Sequence, residues 1–268
     1  MKFLNNNPYV ITLITIAVFL GVIKFPLEPL LDSFEFTAQQ SDNIARILKN
    51  GILIVLALTT IYKLRIVKLA GLSTQIKLQH KTLILIPLYL LVLGIVQMYG
   101  LDLTSVATID IALLVLAMLS VGFVEEFVFR GILQAVFLKK YIHHKNGIYI
   151  SIFLPAFLFG ALHLLNLDMN NIAASISQAI YAFFIGAAFG AIVLKTNKLV
   201  PLALLHGVID IVFSLHVLTD TNAIPGKLPP QDINSAISAV VIVLPLFIAG
   251  LFIIRRIPKQ QVIQKLID

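Results

Sequence analysis

A series of long apolar stretches, separated by short polar segments, constrains this chain most strongly. Most of them have the ~20 residues that an α-helix needs to cross a ~30 Å hydrocarbon layer. Only 12% of the 268 residues are charged and 59% are hydrophobic, whereas a soluble domain has roughly 25% charged residues. We therefore predict an all-α polytopic membrane protein in which residues 1–268 form a single membrane domain. Eight spans are predicted, at residues 8–24, 46–62, 82–100, 106–137, 148–166, 172–194, 199–218 and 234–254.

The fourth stretch is longer than one crossing needs, so we expect it to tilt, to bend near Gly122 or to continue beyond the lipid. In the sixth, Gly186 and Gly190 form a G-x-x-x-G pattern, which predicts close helix packing, either within the chain or between subunits. The chain has no cysteine. That absence excludes disulfides, a thiol nucleophile and cysteine-based metal clusters.

Basic residues are concentrated in every second segment between the predicted spans. The positive-inside rule places these segments, and therefore both termini, in the cytoplasm of a cell-membrane protein. Because the charge is explained by topology, we predict no nucleic-acid partner for a chain with net charge +7. These segments hold 15 of the 20 lysines and arginines: Lys2, Lys63, Arg65, Lys68, Lys77, Lys81, Lys139, Lys140, Lys145, Lys195, Lys198, Arg255, Arg256, Lys259 and Lys265.

Ionisable residues inside the spans are the main functional signal. A charge at mid-membrane costs at least ~2.5–3.5 kcal/mol on insertion scales, so such residues usually have a role. In the fourth span Glu126 and Arg130 are four residues apart and can pair on one helix face. Glu125 then has no partner on its own helix and is available for chemistry.

The fifth and seventh predicted spans carry the other ionisable residues. His163 alone is more simply explained as a hydrogen-bonding residue, and His206 and Asp210 could satisfy each other. Counted from the cytoplasmic ends at 1.5 Å per residue, Glu125 and His163 lie at ~20 and ~22 Å, and His206 and Asp210 at ~10 and ~16 Å. We therefore predict one site, formed by spans 4, 5 and 7, that opens toward the cytoplasm.

The ordered set resembles the CAAX protease and bacteriocin-processing family, also called Abi or CPBP. Residues 106–218 would be its motif-bearing core. The resemblance implies an all-α intramembrane endopeptidase that hydrolyses a peptide bond near the C-terminus of a membrane-associated protein or peptide. We also expect a bacterial source. The motifs are Glu125-Glu126-x-x-x-Arg130, Phe159-x-x-x-His163 and His206-x-x-x-Asp210.

Peptide hydrolysis needs an activated water and stabilisation of the oxyanion. We assign Glu125 as general base, His163 as the second group on the water, and His206 with Asp210 to the oxyanion. Glu126, Arg130 and Phe159 would support the site. An ionised Asp210 cannot donate a hydrogen bond, so it either favours a cationic His206 or is itself protonated.

Three alternatives remain open at this stage. Glu125, His163 and His206 would be the ligands if zinc were bound, although no H-E-x-x-H motif is present and we predict no metal. A non-catalytic bacteriocin-immunity protein would have the same fold. A proton-coupled transporter is disfavoured because no inverted repeat is seen. The substrate sequence, its prenylation and the oligomeric state are not predicted.

Overall fold

The computed structural model describes residues 7–220 and 230–267, so Lys2 lies outside the described residues. Regular structure in the described ranges is entirely helical. An eight-residue π-helix, Phe127–Gln134, joins α4 to α5, and we call it the π segment. The α-helices are α1 Pro8–Ile23, α2 Ala38–Lys63, α3 Leu88–Gln97, α4 Thr108–Glu126, α5 Ala135–Tyr141, α6 Gly147–His163, α7 Ile172–Thr196, α8 Val200–Ser214, α9 Ile233–Arg255 and α10 Lys259–Ile267.

Six described helical stretches are long and apolar enough to cross a membrane, which supports the multi-pass architecture. Two further apolar helices, Lys81–Gln97 and Gly147–His163, are shorter and coincide with the predicted third and fifth spans. The count of eight spans therefore stays a prediction. The long fourth stretch is continuous helix from Thr108 to Tyr141, and the π segment lies within it.

Local sequence explains where several helices begin. The Asn7 side chain accepts hydrogen bonds from the first backbone amides of α1. Thr37 and Gln40 form a reciprocal capping box at α2, and Asp232 caps α9 through the Ser235 amide at 2.7 Å. Each cap satisfies amide groups that a helix leaves unpaired at its first turn.

The predicted glycine pattern in α7 packs within the chain. A Cβ added to Gly186 would lie 3.1 Å from Cα of Ala156 in α6, and one added to Gly190 would lie 2.5 Å from Oε1 of Gln134 in the π segment. Gln134 Nε2 also donates to the Gly190 carbonyl at 2.9 Å. The two glycines therefore let α7 contact α6 and the π segment, which carries Arg130.

Basic segments distant in sequence meet at one end of the helices. Lys195 Nζ donates to the Arg256 carbonyl at 2.7 Å, and Lys198 Nζ donates to the Ser73 carbonyl at 2.7 Å. Lys259 Nζ donates to the His144 carbonyl at 3.0 Å. We call this end the basic face; it comprises residues 63–81, 138–147, 195–198 and 255–264. Its grouping agrees with the charge pattern, and its cytoplasmic orientation remains a prediction.

Candidate active site

The π segment places Arg130 at the centre of the helical bundle. Every residue from Glu126 to Leu138 is buried, and the segment packs against α1, α2, α6 and α7. π-Helical turns inside α-helices are rare and often occur at functional sites. This π segment was not predicted from the sequence, because its apolar residues also fit an ordinary α-helix.

Glu126 is the carboxylate that connects two of the motifs. Its Oε1 accepts a hydrogen bond from Arg130 Nη1 at 2.7 Å and one from His206 Nδ1 at 2.9 Å. The Glu126 side chain is fully buried and that of Arg130 is 2% exposed. The expected pairing of Glu126 with Arg130 is present. The contact with His206 was not predicted, because it joins residues 80 positions apart.

The second nitrogen of His206 faces two other carboxylates. His206 Nε2 lies 3.6 Å from Glu125 Oε2 and 3.8 Å from Asp210 Oδ2. The Glu125 and Asp210 side chains are 19% and 28% exposed, in contrast to the enclosed Glu126. Both separations exceed a direct hydrogen bond, so Nε2 and the two carboxylates can each bind a third polar atom.

His163 is held at the last residue of α6. Its Nδ1 donates to the Phe159 carbonyl at 2.8 Å, which leaves Nε2 as the acceptor nitrogen of a neutral ring. Among the interactions described for residues 7–220, none is a direct hydrogen bond or ion pair from His163 to Glu125 or His206. Phe159, which lies four residues earlier on the same helix, thus holds His163 at the site.

The Phe159 ring joins the three motifs by packing. Its centroid lies 4.8 Å from the His163 ring and 6.5 Å from the His206 ring. The Arg130 guanidinium lies over the same ring, 4.9 Å from its centroid, a geometry that favours a cation. Phe159 therefore fixes the relative positions of two imidazoles and one guanidinium.

Phe189 of α7 also belongs to the site, although it was not predicted from the sequence. Its fully buried ring lies 5.4 Å from the His206 ring and 5.7 Å from the Arg130 guanidinium carbon. Its position between Gly186 and Gly190 was the available signal, because those glycines mark the face of α7 that approaches its neighbours.

Two glycines bring α4 and α8 close enough for the motifs to meet. A Cβ added to Gly122 would lie 2.7 Å from Gly207 Cα, and one added to Gly207 would lie 2.8 Å from Leu119 Cα. Real Cβ atoms do not approach other heavy atoms this closely, so both positions require glycine. Gly122 lies about one turn before Glu126 and Gly207 adjoins His206, so this contact sets the distance between their side chains.

The candidate metal ligands do not form a recognisable metal cluster. Within residues 7–220 and 230–267, no group of three or more His, Asp or Glu side chains is arranged to hold an ion. Of the predicted ligands Glu125, His163 and His206, the pair that the structure places close together is Glu125 and His206. The expected absence of a metal therefore stays a prediction.

Comparison with known families identifies the segment that contains these motifs. Residues 107–212 match the family model described as type II CAAX prenyl endopeptidase Rce1-like. Over this segment the chain is similar to the Rce1-like family. The resemblance inferred from the motifs is thereby confirmed, and the Rce1-like segment extends from the start of α4 into α8. No curated protein and no solved structure gives a significant match to the chain.

Proposed function

We propose that this chain is an intramembrane endopeptidase that hydrolyses a peptide bond near the C-terminus of a membrane-associated protein or peptide. The observation that carries the proposal is the position of His206. Its Nδ1 is bound by the enclosed Glu126, while its Nε2 faces the partly exposed Glu125 and Asp210. A buried imidazole with one fixed nitrogen and one accessible nitrogen suits acid–base or oxyanion chemistry. The similarity of residues 107–212 to an endopeptidase family supports the same reaction.

Glu125 is our candidate general base. It is the more exposed of the two adjacent glutamates, and Glu126 is fully enclosed between Arg130 and His206. A water bound to Glu125 Oε2 can pass a proton to that carboxylate and attack a peptide carbonyl, and the protonated Glu125 can then give this proton to the amide nitrogen as the C–N bond breaks. His163 would accept or orient the same water through Nε2, because its Nδ1 is committed to Phe159.

Glu126 and Arg130 act as positioning residues in this proposal. The Glu126 carboxylate fixes which His206 nitrogen carries the buried hydrogen bond and thereby orients the ring. Arg130 holds Glu126 from its other side and packs on Phe159. In this proposal, the supporting role predicted for the pair from sequence is control of His206 orientation.

His206 and Asp210 are assigned to the oxyanion. When protonated, His206 Nε2 can donate a hydrogen bond to the oxygen that gains charge in the tetrahedral intermediate. Asp210 lies on the same side of the ring, 3.8 Å from Nε2. As an anion it would favour the cationic imidazole, and as a neutral acid it would itself donate.

Cleavage of a membrane-tethered peptide library by purified full-length protein tests the proposal. We expect wild type to cleave at least one member, and Glu125→Gln to be slower by about 10²–10⁴-fold, the usual contribution of a general base. Asp110→Asn is the matched control, since it makes the same carboxylate-to-amide change near the start of the same helix. Its activity should equal that of wild type.

Two results would contradict parts of this assignment. Unchanged cleavage by Glu125→Gln would remove Glu125 from the reaction, and absence of cleavage by every preparation would favour a non-catalytic protein of the same fold. A strong chelator is included in a parallel reaction. Cleavage lost with chelator and restored by zinc would overturn the metal-free mechanism.

A further inference from the structure

A cavity on the basic face lies apart from the candidate active site. Its volume is about 280 Å³, and it opens between the start of α1, the segment after α2 and the end of α5. Ile11, Ile66 and Val136 form an apolar floor, and Lys139 and Lys140 stand at its rim. Lys139 is 14 residues from Glu125 along the helix, or about 21 Å at 1.5 Å per residue. The two sites are therefore distinct.

The cavity combines an apolar surface with a basic one. Ile11, Ile66 and Val136 are buried, whereas both lysines are exposed. Lys139 Nζ makes one long contact, 3.4 Å, with the Leu64 carbonyl. In residues 7–220 and 230–267, no described ion pair joins either lysine to a carboxylate. The rim therefore offers two ammonium groups above an apolar floor.

The basic face supplies no counter-charge of its own. Its residues, 63–81, 138–147, 195–198 and 255–264, contain 13 lysines and arginines and no aspartate or glutamate. Such a concentration of one sign attracts anions, and at a membrane surface the abundant anions are lipid headgroups. Charge complementarity thus favours a negatively charged ligand that comes from the bilayer.

The walls of the cavity are fixed by contacts between α1 and α5. The Tyr9 and Tyr141 hydroxyls are hydrogen-bonded at 2.7 Å, and the Tyr9 ring packs edge-on against Phe137 at 5.6 Å. The Lys139 contact with Leu64 ties the end of α5 to the segment after α2. Ligand sites are usually largely pre-formed in this way.

We propose that this cavity binds one anionic phospholipid. The headgroup phosphate lies between Lys139 and Lys140, and an acyl chain occupies the cavity that Ile11, Ile66 and Val136 line. A free anion would satisfy the lysines but leave the cavity unfilled, and a neutral lipid would fill the cavity without pairing with the lysines. The proposal does not depend on the protease assignment.

Lipid binding by the purified full-length protein tests it. In detergent, fluorescently labelled phosphatidylglycerol and phosphatidylcholine are titrated separately, and dissociation constants are compared. We expect tight, saturable binding of phosphatidylglycerol at one molecule per chain. The double variant Lys139→Gln/Lys140→Gln should raise the dissociation constant for phosphatidylglycerol by about 30-fold, because each lysine near the anionic headgroup contributes about fivefold to the affinity.

Two further variants separate a local site from general surface charge. Lys77→Gln/Lys81→Gln removes the same charge from the same face but away from the cavity, and should bind like wild type. Val136→Phe keeps every charge and fills the apolar floor, so it should weaken phosphatidylglycerol binding severalfold. Thermal unfolding in detergent identifies which variants are folded.

Three results would overturn the proposal. The first is equal affinity for phosphatidylcholine and phosphatidylglycerol, which removes the role of headgroup charge. The second is an equal loss of binding in both lysine double variants, which indicates a diffuse field. The third is unchanged binding of phosphatidylglycerol by the Lys139→Gln/Lys140→Gln variant. Both lysines are exposed, so their replacement leaves the packed residues in place.

Discussion

The two halves of the long helical stretch Thr108–Tyr141 lie in different surroundings. In the first half, residues 108–121 include many exposed or half-buried side chains, such as Leu116 at 53% exposure. In the second, every residue from 126 to 138 is buried. The second half is surrounded by α1, α2, α6 and α7, and the first half packs mainly on α2 and α8.

Charge follows the same division. Asp110 in the first half is half-buried and accepts a hydrogen bond from Gln40 Nε2 at 2.7 Å. Glu126 and Arg130 in the second half are enclosed and depend on each other and on His206. An apolar helix can thus tolerate a charge at its periphery with one neutral partner. The enclosed charges require oppositely charged partners, because no solvent or lipid headgroup reaches them.

The largest expected effect comes from breaking the enclosed pair. Arg130→Met leaves the buried Glu126 without its cation, and we expect the free energy of unfolding to fall by about 3–5 kcal/mol. Chemical unfolding of the purified protein in detergent measures this loss. Adding Glu126→Gln to the same chain removes the uncompensated charge and should recover much of the stability. If Arg130→Met alone were as stable as wild type, Arg130 would not be needed to hold Glu126.

A smaller effect is expected at the junction of the two halves. Gly122→Ala places a Cβ against the backbone of Gly207, and overpacking of this kind costs about 1–3 kcal/mol. Cleavage should fall as well, because α4 and α8 must separate and the contact between Glu126 and His206 lengthens.

Gly51→Ala is the matched control for that change. It alters a helical glycine in α2 with open space around its Cβ position. We expect stability that is unchanged or raised by up to about 1 kcal/mol, since alanine is the better helix former. Equal destabilisation by the two alanine variants would show that the approach of α4 to α8 is not the cause.

The smallest effect is expected in the first half. Asp110→Asn keeps an oxygen that can accept from Gln40, so the free energy of unfolding should change by no more than about 0.5 kcal/mol. The same unfolding measurement checks this value. A loss as large as that of Arg130→Met would mean that the two halves do not differ in their tolerance of charge.

Much of the helical organisation was predictable from sequence. The predicted spans coincide with described helices, and spans 82–100 and 148–166 correspond to the two shorter ones. The i, i+4 spacing predicted the Glu126–Arg130 pair because both residues lie on one helix. The Glu126–His206 contact and the place of Phe189 could not be predicted in this way. They depend on how α4, α7 and α8 pack against each other, and local spacing carries no information about that.

The sequence by itself determined the membrane-spanning class, the grouping of basic segments at one end and the three motifs, which lie within the segment that matches the Rce1-like family model. Each follows from composition, periodicity or residue order, which are local properties. Tertiary structure decided which glutamate is enclosed and which remains accessible. The i, i+4 spacing to Arg130 indicated that Glu126 is the paired glutamate, and the packing of α8 through Gly122 and Gly207 adds the His206 contact that encloses it and leaves Glu125 partly exposed.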